Sequence, residues 1–386
     1  MRDPMTRRLA PFGTSVFTEF TRLARQHQAI NLSQGYPDFD GPEEIKRVAC
    51  EHILHGHNQY APSHGMPALR QAVAAKMQRF YGLEVDPEHE VTIFSGGTEA
   101  LFSSIMGLCE AGDEVVLFDP CYDSYPPSVV MAGATLRRVA LRAPDWSLDE
   151  EALRAAFSSR TRLVVVNTPM NPCGKVFTRA ELGLVASLCQ EHDAIALCDE
   201  VYEHLCYDGA EHVPLITLPG MRERSVCISS TAKTFSMTGW KIGTAVASPA
   251  LSRAIRSSHQ FVTFCSPPPL QEAMAQAIAL DDSYYRALRD SYAAKRSYLC
   301  RRLRELGFEF QDPQGSYYIA ASIAGLGFDD DDAFCRMLPE KHGVAAIPVS
   351  AFYEGRREGR QIVRIAFCKN LETLEQACDR LQNLRT

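Results

Sequence analysis

Between residues 114 and 198 strand-like runs and helix-like stretches alternate, and this alternation restricts the fold more than any other feature. The runs are 114–118, 134–139, 163–167 and 194–198; helical spacing occupies 98–111, 122–132, 149–158 and 178–192. Runs of continuous apolar residues such as Leu163-Val-Val-Val and Ala194-Ile-Ala-Leu suit strands buried on both faces, with the helices as cover. The pattern predicts an α/β fold with a mostly parallel sheet. Sheets of that kind place their working residues just beyond the C-terminal ends of the strands.

A polar segment at 229–243 lies between two further strand-like runs, 225–230 and 244–248. It holds hydroxyls, two glycines and the lysines Lys233 and Lys241, in a chain with eight lysines against 32 arginines. Arginine would serve a surface ion pair or a fixed anion clamp at least as well. A lysine kept in a sheltered loop suggests an amine of lowered pKa, suited to Schiff-base chemistry. Upstream, 91–102 reads as strand, glycine turn, helix. Gly96, Gly97 and Thr98 would then point free N–H groups at an anion such as phosphate.

Polar residues follow the strand runs where the architecture predicts them: Tyr122 after the first, Asn171 after the third, Asp199 and Tyr202 after the fourth. An aspartate at the end of a buried strand needs a cation or a hydrogen-bond donor, because a bare buried carboxylate is very costly. Arg364 interrupts the apolar strand 361–367, and an inward guanidinium there would call for a carboxylate held by both prongs.

The remainder has a different rhythm. A helix at 14–28, capped by Thr14 or Ser15, precedes a strand at 30–39 that ends in a Gly/Pro/Asp turn around Gly35. Helices are expected at 67–81, 251–264, near 270, and at 283–306, where Gly307 makes a good stop. Strands 316–321, 344–348 and 361–367 with helices 331–342 and 371–384 make a small α+β domain. The acidic run 329–332 is simply the negative start of a helix. His52, His55 and His57 lack a following carboxylate or cysteine at ligand spacing and read as a solvated helix end, so no metal is expected.

Charge and composition exclude several classes. The balance of −7 speaks against nucleic acid or an anionic membrane as partner. Thirteen cysteines form an odd count with no Cys-x-x-Cys, which suits a reducing cytoplasm rather than a disulfide framework or structural zinc. Neither a secretory leader nor a membrane-spanning stretch is expected.

Ser230-x-x-Lys233 followed by Gly239-Trp-Lys-x-Gly243, with Asn171-Pro-x-Gly174 and Asp199-x-x-Tyr202, resembles the class I pyridoxal-phosphate-dependent aminotransferases of fold type I. The segments 31–35, 37–42, 58–62, 258–264 and 342–348 are most similar to the branch of bacterial methionine aminotransferases and kynurenine aminotransferases. The resemblance implies pyridoxal 5′-phosphate as cofactor, carried by Lys233, which also serves as base and acid for the substrate α-proton. It implies that Gly96, Gly97, Thr98, Ser230 and Lys241 hold the phosphate and that Tyr122 lies on the pyridine ring. Asn171 and Tyr202 would bond its phenolic oxygen, and Asp199 its ring nitrogen. Arg364 would grip the α-carboxylate, with Gly35, Asn171, Phe17, Tyr36 and Phe264 bordering the substrate. Tyr60 would reach a partner's phosphate in a homodimer, and cis peptides would precede Pro169 and Pro172. The domains implied are an arm at 1–30, a cofactor domain at 31–290 and a small domain at 291–386. The expected reaction moves the amino group of an apolar or thioether amino acid to a 2-oxo acid. Carbon–sulfur β-elimination from cysteine conjugates is the alternative, and the acidic balance disfavours a DNA-binding regulator on the same domain. The segment Cys265-Ser-Pro-Pro-Pro269 departs from the family pattern near the substrate side chain.

Overall fold

The computed structural model describes residues 4–356 and 358–384. Its centre is a seven-stranded sheet in the spatial order Val91–Phe94, Gly243–Ala247, Ser225–Ser230, Ile195–Asp199, Thr161–Asn167, Glu114–Asp119, Thr135–Ala140. Only Gly243–Ala247 runs against both of its neighbours; the other pairs are parallel.

Period-two alternation builds the core on both faces. Val116, Phe118, Val164, Val166 and Ala196 enter one apolar cluster, while Val115, Leu117, Leu163, Val165 and Leu197 enter the other. Each fully buried aliphatic side chain of this kind is worth about 1.5–3 kcal/mol. Thr135–Ala140 departs from the expected buried strands. It is one of the two edge strands, paired on one side only, and unlike the buried Val91–Phe94 at the other edge its residues are mostly exposed or half-buried. Arg137 and Arg138 can therefore reach Glu114 and Asp119 on the neighbouring strand.

The helix expected at 122–132 begins only at Tyr125, with prolines in its first turn. Proline suits a first turn because no N–H is needed there. Residues 120–124 thus remain a loop beyond the strand end, and Tyr122 projects from it. The first helix runs Val16–Gln26, and the Ser15 hydroxyl caps it by accepting from the Phe17 N–H at 3.2 Å. Cis peptides precede Pro169 and Pro172, and also Pro120 and Pro144.

A separate core gathers Phe20, Leu32, Leu299, Leu303, Ile319, Val363, Ile365 and Leu374. It includes a three-stranded antiparallel sheet of Ile347–Pro348, Ile362–Ala366 and Tyr318–Ser322. The run 344–348, expected as one strand, divides at Ala346. Val344–Ala345 pairs in parallel with Ile30–Asn31, and Ile347–Pro348 turns to the other sheet. The C-terminal helix is also shorter than expected, running Leu371–Arg380 before a tighter turn. Asp282–Leu306, 25 residues long, belongs to both cores: Tyr285 enters the large one, Tyr292, Leu299 and Leu303 the small one. Gly307, at φ 97°, ends it in the left-handed conformation. Among the described residues no helix is long and apolar enough to cross a membrane.

Candidate active site

The parallel sheet brings its strand ends to one edge, and there they line a cavity of about 180 Å³. Lys233 enters it from the short helix Thr231–Thr234, whose start is fixed by the Ser230 hydroxyl accepting from the Ala232 N–H. Its Nζ lies 3.5 Å from the Gly35 carbonyl and about 6 Å from the ring centres of Tyr202 and Tyr317. Burial lowers the pKa of this amine to about 8.

Asp199, 4% exposed, stands at the end of its strand. Burial raises its carboxyl to about 6, opposed by the Tyr125 hydroxyl, which donates to Oδ2 at 2.6 Å. No side-chain cation pairs with it among the described residues. Asn167 ties two strand ends together: its amide donates to the Asp199 carbonyl at 2.9 Å, and its oxygen accepts from the Asn171 N–H at 2.8 Å. The Tyr202 and Tyr318 hydroxyls are 3.2 Å apart.

The opposite wall is the N-terminus of helix Gly97–Leu108. Gly96, at φ 86°, has a backbone that strains any side chain, and a Cβ there would press on Lys241 Nζ at 3.1 Å. Gly97, Thr98, Ser230, Thr238 and Lys241 share this end of the cavity. Tyr122 stands over it, with its hydroxyl 3.5 Å from that of Thr98.

Arg364 lies one contact deeper and is fully buried. Nη1 donates to Asn171 Oδ1 at 2.8 Å, Nη2 donates to the Ser33 carbonyl, and Nε has no partner. The Tyr318 and Phe17 rings flank the guanidinium at 4.2 and 4.9 Å. No carboxylate pairs with it among the described residues.

Besides Arg364, three of the residues expected at the site lie outside this cavity in the single chain. Tyr36 is 42% exposed, and Tyr60 and Phe264 meet edge to face at 5.4 Å. Tyr60 instead lines a surface hollow with Cys265 and Pro267–Pro269. Sequence reasoning assigned no role to Tyr125, Asn167, Gln34 or Tyr318. A polar residue ending an apolar run marks Asn167; nothing local marks the other three.

The family described as aminotransferase class I and II matches residues 27–381. The chain is 41% identical over 377 residues to methionine aminotransferase of Escherichia coli (strain K12), covering 98% of this chain and 97% of that one. The solved structure of N-succinyldiaminopimelate aminotransferase from Mycobacterium tuberculosis superposes with a TM-score of 0.96 at 43% identity, covering 98% of this chain and 100% of that one. Kynurenine–oxoglutarate transaminase 3 of Mus musculus is 36% identical over 400 residues, covering 96% and 88%. The chain belongs to the class I and II aminotransferases.

Membership makes it a pyridoxal-phosphate-dependent aminotransferase, and the cavity fits that cofactor. A buried carboxylate with no cation suits a protonated ring nitrogen. The glycine cradle with a lysine amine pressed against it suits a phosphate. The low-pKa amine of Lys233 suits a Schiff base with the aldehyde. The aminotransferase cavity thus has complementary chemistry at three separate places.

Proposed function

We propose that this aminotransferase takes its amino group from an apolar or thioether L-amino acid, methionine first and aromatic amino acids next, and gives it to a 2-oxo acid. The observation that carries this reading is the contrast around Arg364. A fully buried guanidinium with an unpartnered Nε provides for one carboxylate, while Phe17, Leu101, Tyr122 and Tyr318 line the cavity without charge. A second carboxylate on the substrate side chain would be buried there without a partner. Apolar side chains of similar size differ by only about 1–3 kcal/mol in such a wall, so several donors are expected to work.

Pyridoxal phosphate supplies the aldehyde that takes up the amino group and an electron-withdrawing ring. Gly96, Gly97, Thr98, Ser230 and Lys241 would hold its phosphate, Tyr122 would cover the ring face, and Asn171 and Tyr202 would offer donors to its phenolic oxygen. Asp199 would hold the proton on the ring nitrogen. Arg364 fixes the substrate by its α-carboxylate. Lys233 Nζ, half neutral near pH 8, would take the proton from the substrate α-carbon and deliver it to the carbon of the cofactor's aldehyde group. Gly35, Phe17, Tyr36 and Phe264 border the substrate.

The same reading makes the enzyme a cytoplasmic homodimer in which Tyr60 completes the partner's phosphate site. The exposure of Tyr60, at 85%, and of Phe261, at 86%, supports a covering subunit. The domains are the arm at 1–30, the cofactor domain at 31–290 and the small domain at 291–386. The two cores joined by Asp282–Leu306 support this division, although Leu32 packs in the smaller core.

The test is an amino-donor panel scored by kcat/KM, with Lys233→Ala as control and ammonia followed in parallel. Methionine is expected to lead, and Lys233→Ala to lose turnover. Glutamate, aspartate or N-succinyldiaminopimelate ahead of methionine would overturn the substrate reading. Ammonia in excess of amino transfer would mark a β-lyase.

A further inference from the structure

The substrate-facing wall formed by residues 33–38 is held almost entirely by side chains. Strand pairing ends at Leu32, whose N–H donates to the Ala345 carbonyl and whose carbonyl accepts from Ala366. Residues 33–38 make no backbone–backbone hydrogen bond among the described residues. Instead four successive carbonyls accept from side chains. Ser33 accepts from Arg364, Gln34 from the Cys368 thiol at 3.8 Å, Gly35 from the Tyr317 hydroxyl at 2.5 Å, and Tyr36 from Lys369 Nζ at 2.7 Å. The Asp38 carboxylate then accepts from the Asn370 N–H and the Thr373 hydroxyl, both at 2.6 Å.

The clearance of this strap is nil. A Cβ on Gly35 would sit 1.8 Å from the Tyr318 hydroxyl, and the Gly35 carbonyl is the nearest acceptor to Lys233. Gln34 and Gly35 line the cavity. Any shift of the strap therefore changes the space a substrate meets.

Lys369 is the costly member of the set. It is 3% exposed and has no ion-pair partner among the described residues; besides the Tyr36 carbonyl it has the Tyr36 ring, 4.5 Å away. Burial lowers its pKa, so the charged form is held against its own desolvation. A stability role alone explains this poorly, because an apolar side chain would avoid that cost. The Arg364 tether is not reserved for the strap. Its Nε is open for a carboxylate, and the neighbouring Nη2 that holds Ser33 would share that task.

We propose that Lys369 is a positioning residue, whose buried ammonium keeps the strap 33–38 in place while Arg364 holds the substrate carboxylate. This rests on the role given to Arg364 in the proposed function. The strap contacts the substrate rather than the reacting bond, so loss of Lys369 weakens substrate capture more than turnover.

The experiment compares the holoenzyme with Lys369→Met, which keeps the apolar stem and removes the charge. KM for the leading amino donor is expected to rise about tenfold while kcat changes less than about threefold. Deuterium uptake of the holoenzyme is expected to rise at the two hydrogen-bonded amides that report the strap, Ser33, which donates to Asn31 Oδ1, and Asn370, which donates to Asp38, and to stay level in Ile195–Asp199 and Ser225–Ser230. Unchanged uptake at both amides, or an unchanged KM, would overturn the proposal. So would a general rise of uptake across the smaller core, because that marks Lys369 as an ordinary stabilising residue. The proposed function fails separately: turnover in Lys233→Ala would remove it without altering uptake at Ser33 and Asn370.

Discussion

The Tyr125 hydroxyl donates to Asp199 Oδ2 across 2.6 Å, the shortest hydrogen bond to a carboxylate that has no ion-pair partner among the described residues. A donor to the charged form favours it, so this bond holds Asp199 below the value that burial alone would give. Tyr125→Phe therefore raises the Asp199 pKa above about 6. A hydrogen bond to a charged group is worth about 1.5–3 kcal/mol, which corresponds to about one to two pH units. The acid limb of cofactor binding to the cofactor-free protein is expected to move up by that amount. A limb that stays in place would show that Tyr125 only packs.

Lys233 gives a prediction of opposite sign. Its lowered pKa leaves the neutral, reactive amine half-populated near pH 8. The rate at which cofactor-free protein takes up pyridoxal phosphate, followed by absorbance, is expected to rise through pH 8 and then level off. A lysine in water would keep gaining toward its ordinary value of about 10.4. A rate still climbing above about pH 9.5 would contradict a desolvated amine.

Stability is concentrated in a buried pair near the lysine strand. Glu203 accepts from Lys76 at 2.5 Å, from Tyr81 at 2.5 Å and from Ser229. Burial alone would raise the Glu203 carboxyl, but Lys76 and the nearby histidines hold it well below the usual carboxylate range. Glu203→Ala leaves the Lys76 ammonium buried and alone, which costs about 3–5 kcal/mol. Urea unfolding of the cofactor-free protein measures this, and Lys76→Met added to it is expected to restore part. Because the pKa is depressed, the stabilisation is present above about pH 4.3 and lost only as pH falls toward the folded value. A loss below 1 kcal/mol, on the scale of an exposed pair, would mean that water reaches Lys76.

Tyr60 supplies a test of subunit sharing. Mixed dimers of Tyr60→Phe and Lys233→Ala protomers concentrate both defects in one site if Tyr60 acts on the partner, and the other site is then unimpaired. Recovery of near-normal KM in such hybrids is the expected outcome. Hybrids with proven exchange and no unimpaired site would place Tyr60 elsewhere.

The cofactor side of the cavity was far more legible in the sequence than the substrate side. Asn171, Asp199 and Ser230 sit at or just beyond the ends of strands whose apolar runs are plain, and a parallel sheet must bring those ends to one edge. Tyr318 and Lys369 lie about 280 to 330 residues further along the chain, and only the folding of the smaller core brings them to Gly35 and Tyr36. Alternation along 318–322 tells which residues share a face, not which cavity that face meets. Thr135–Ala140 was legible as a strand but its exposure was not, because a strand's place at the edge is a property of the sheet.

Ile30–Asn31 pairs with Val344–Ala345, so an early stretch of the chain finds its strand partner almost at the far end. During synthesis the segment that becomes the strap leaves the ribosome long before anything exists to hold it. Arg364, Cys368 and Lys369 emerge only after the glycine cradle and the lysine segment. The strap facing the substrate is therefore the part of the site that waits longest for its tethers.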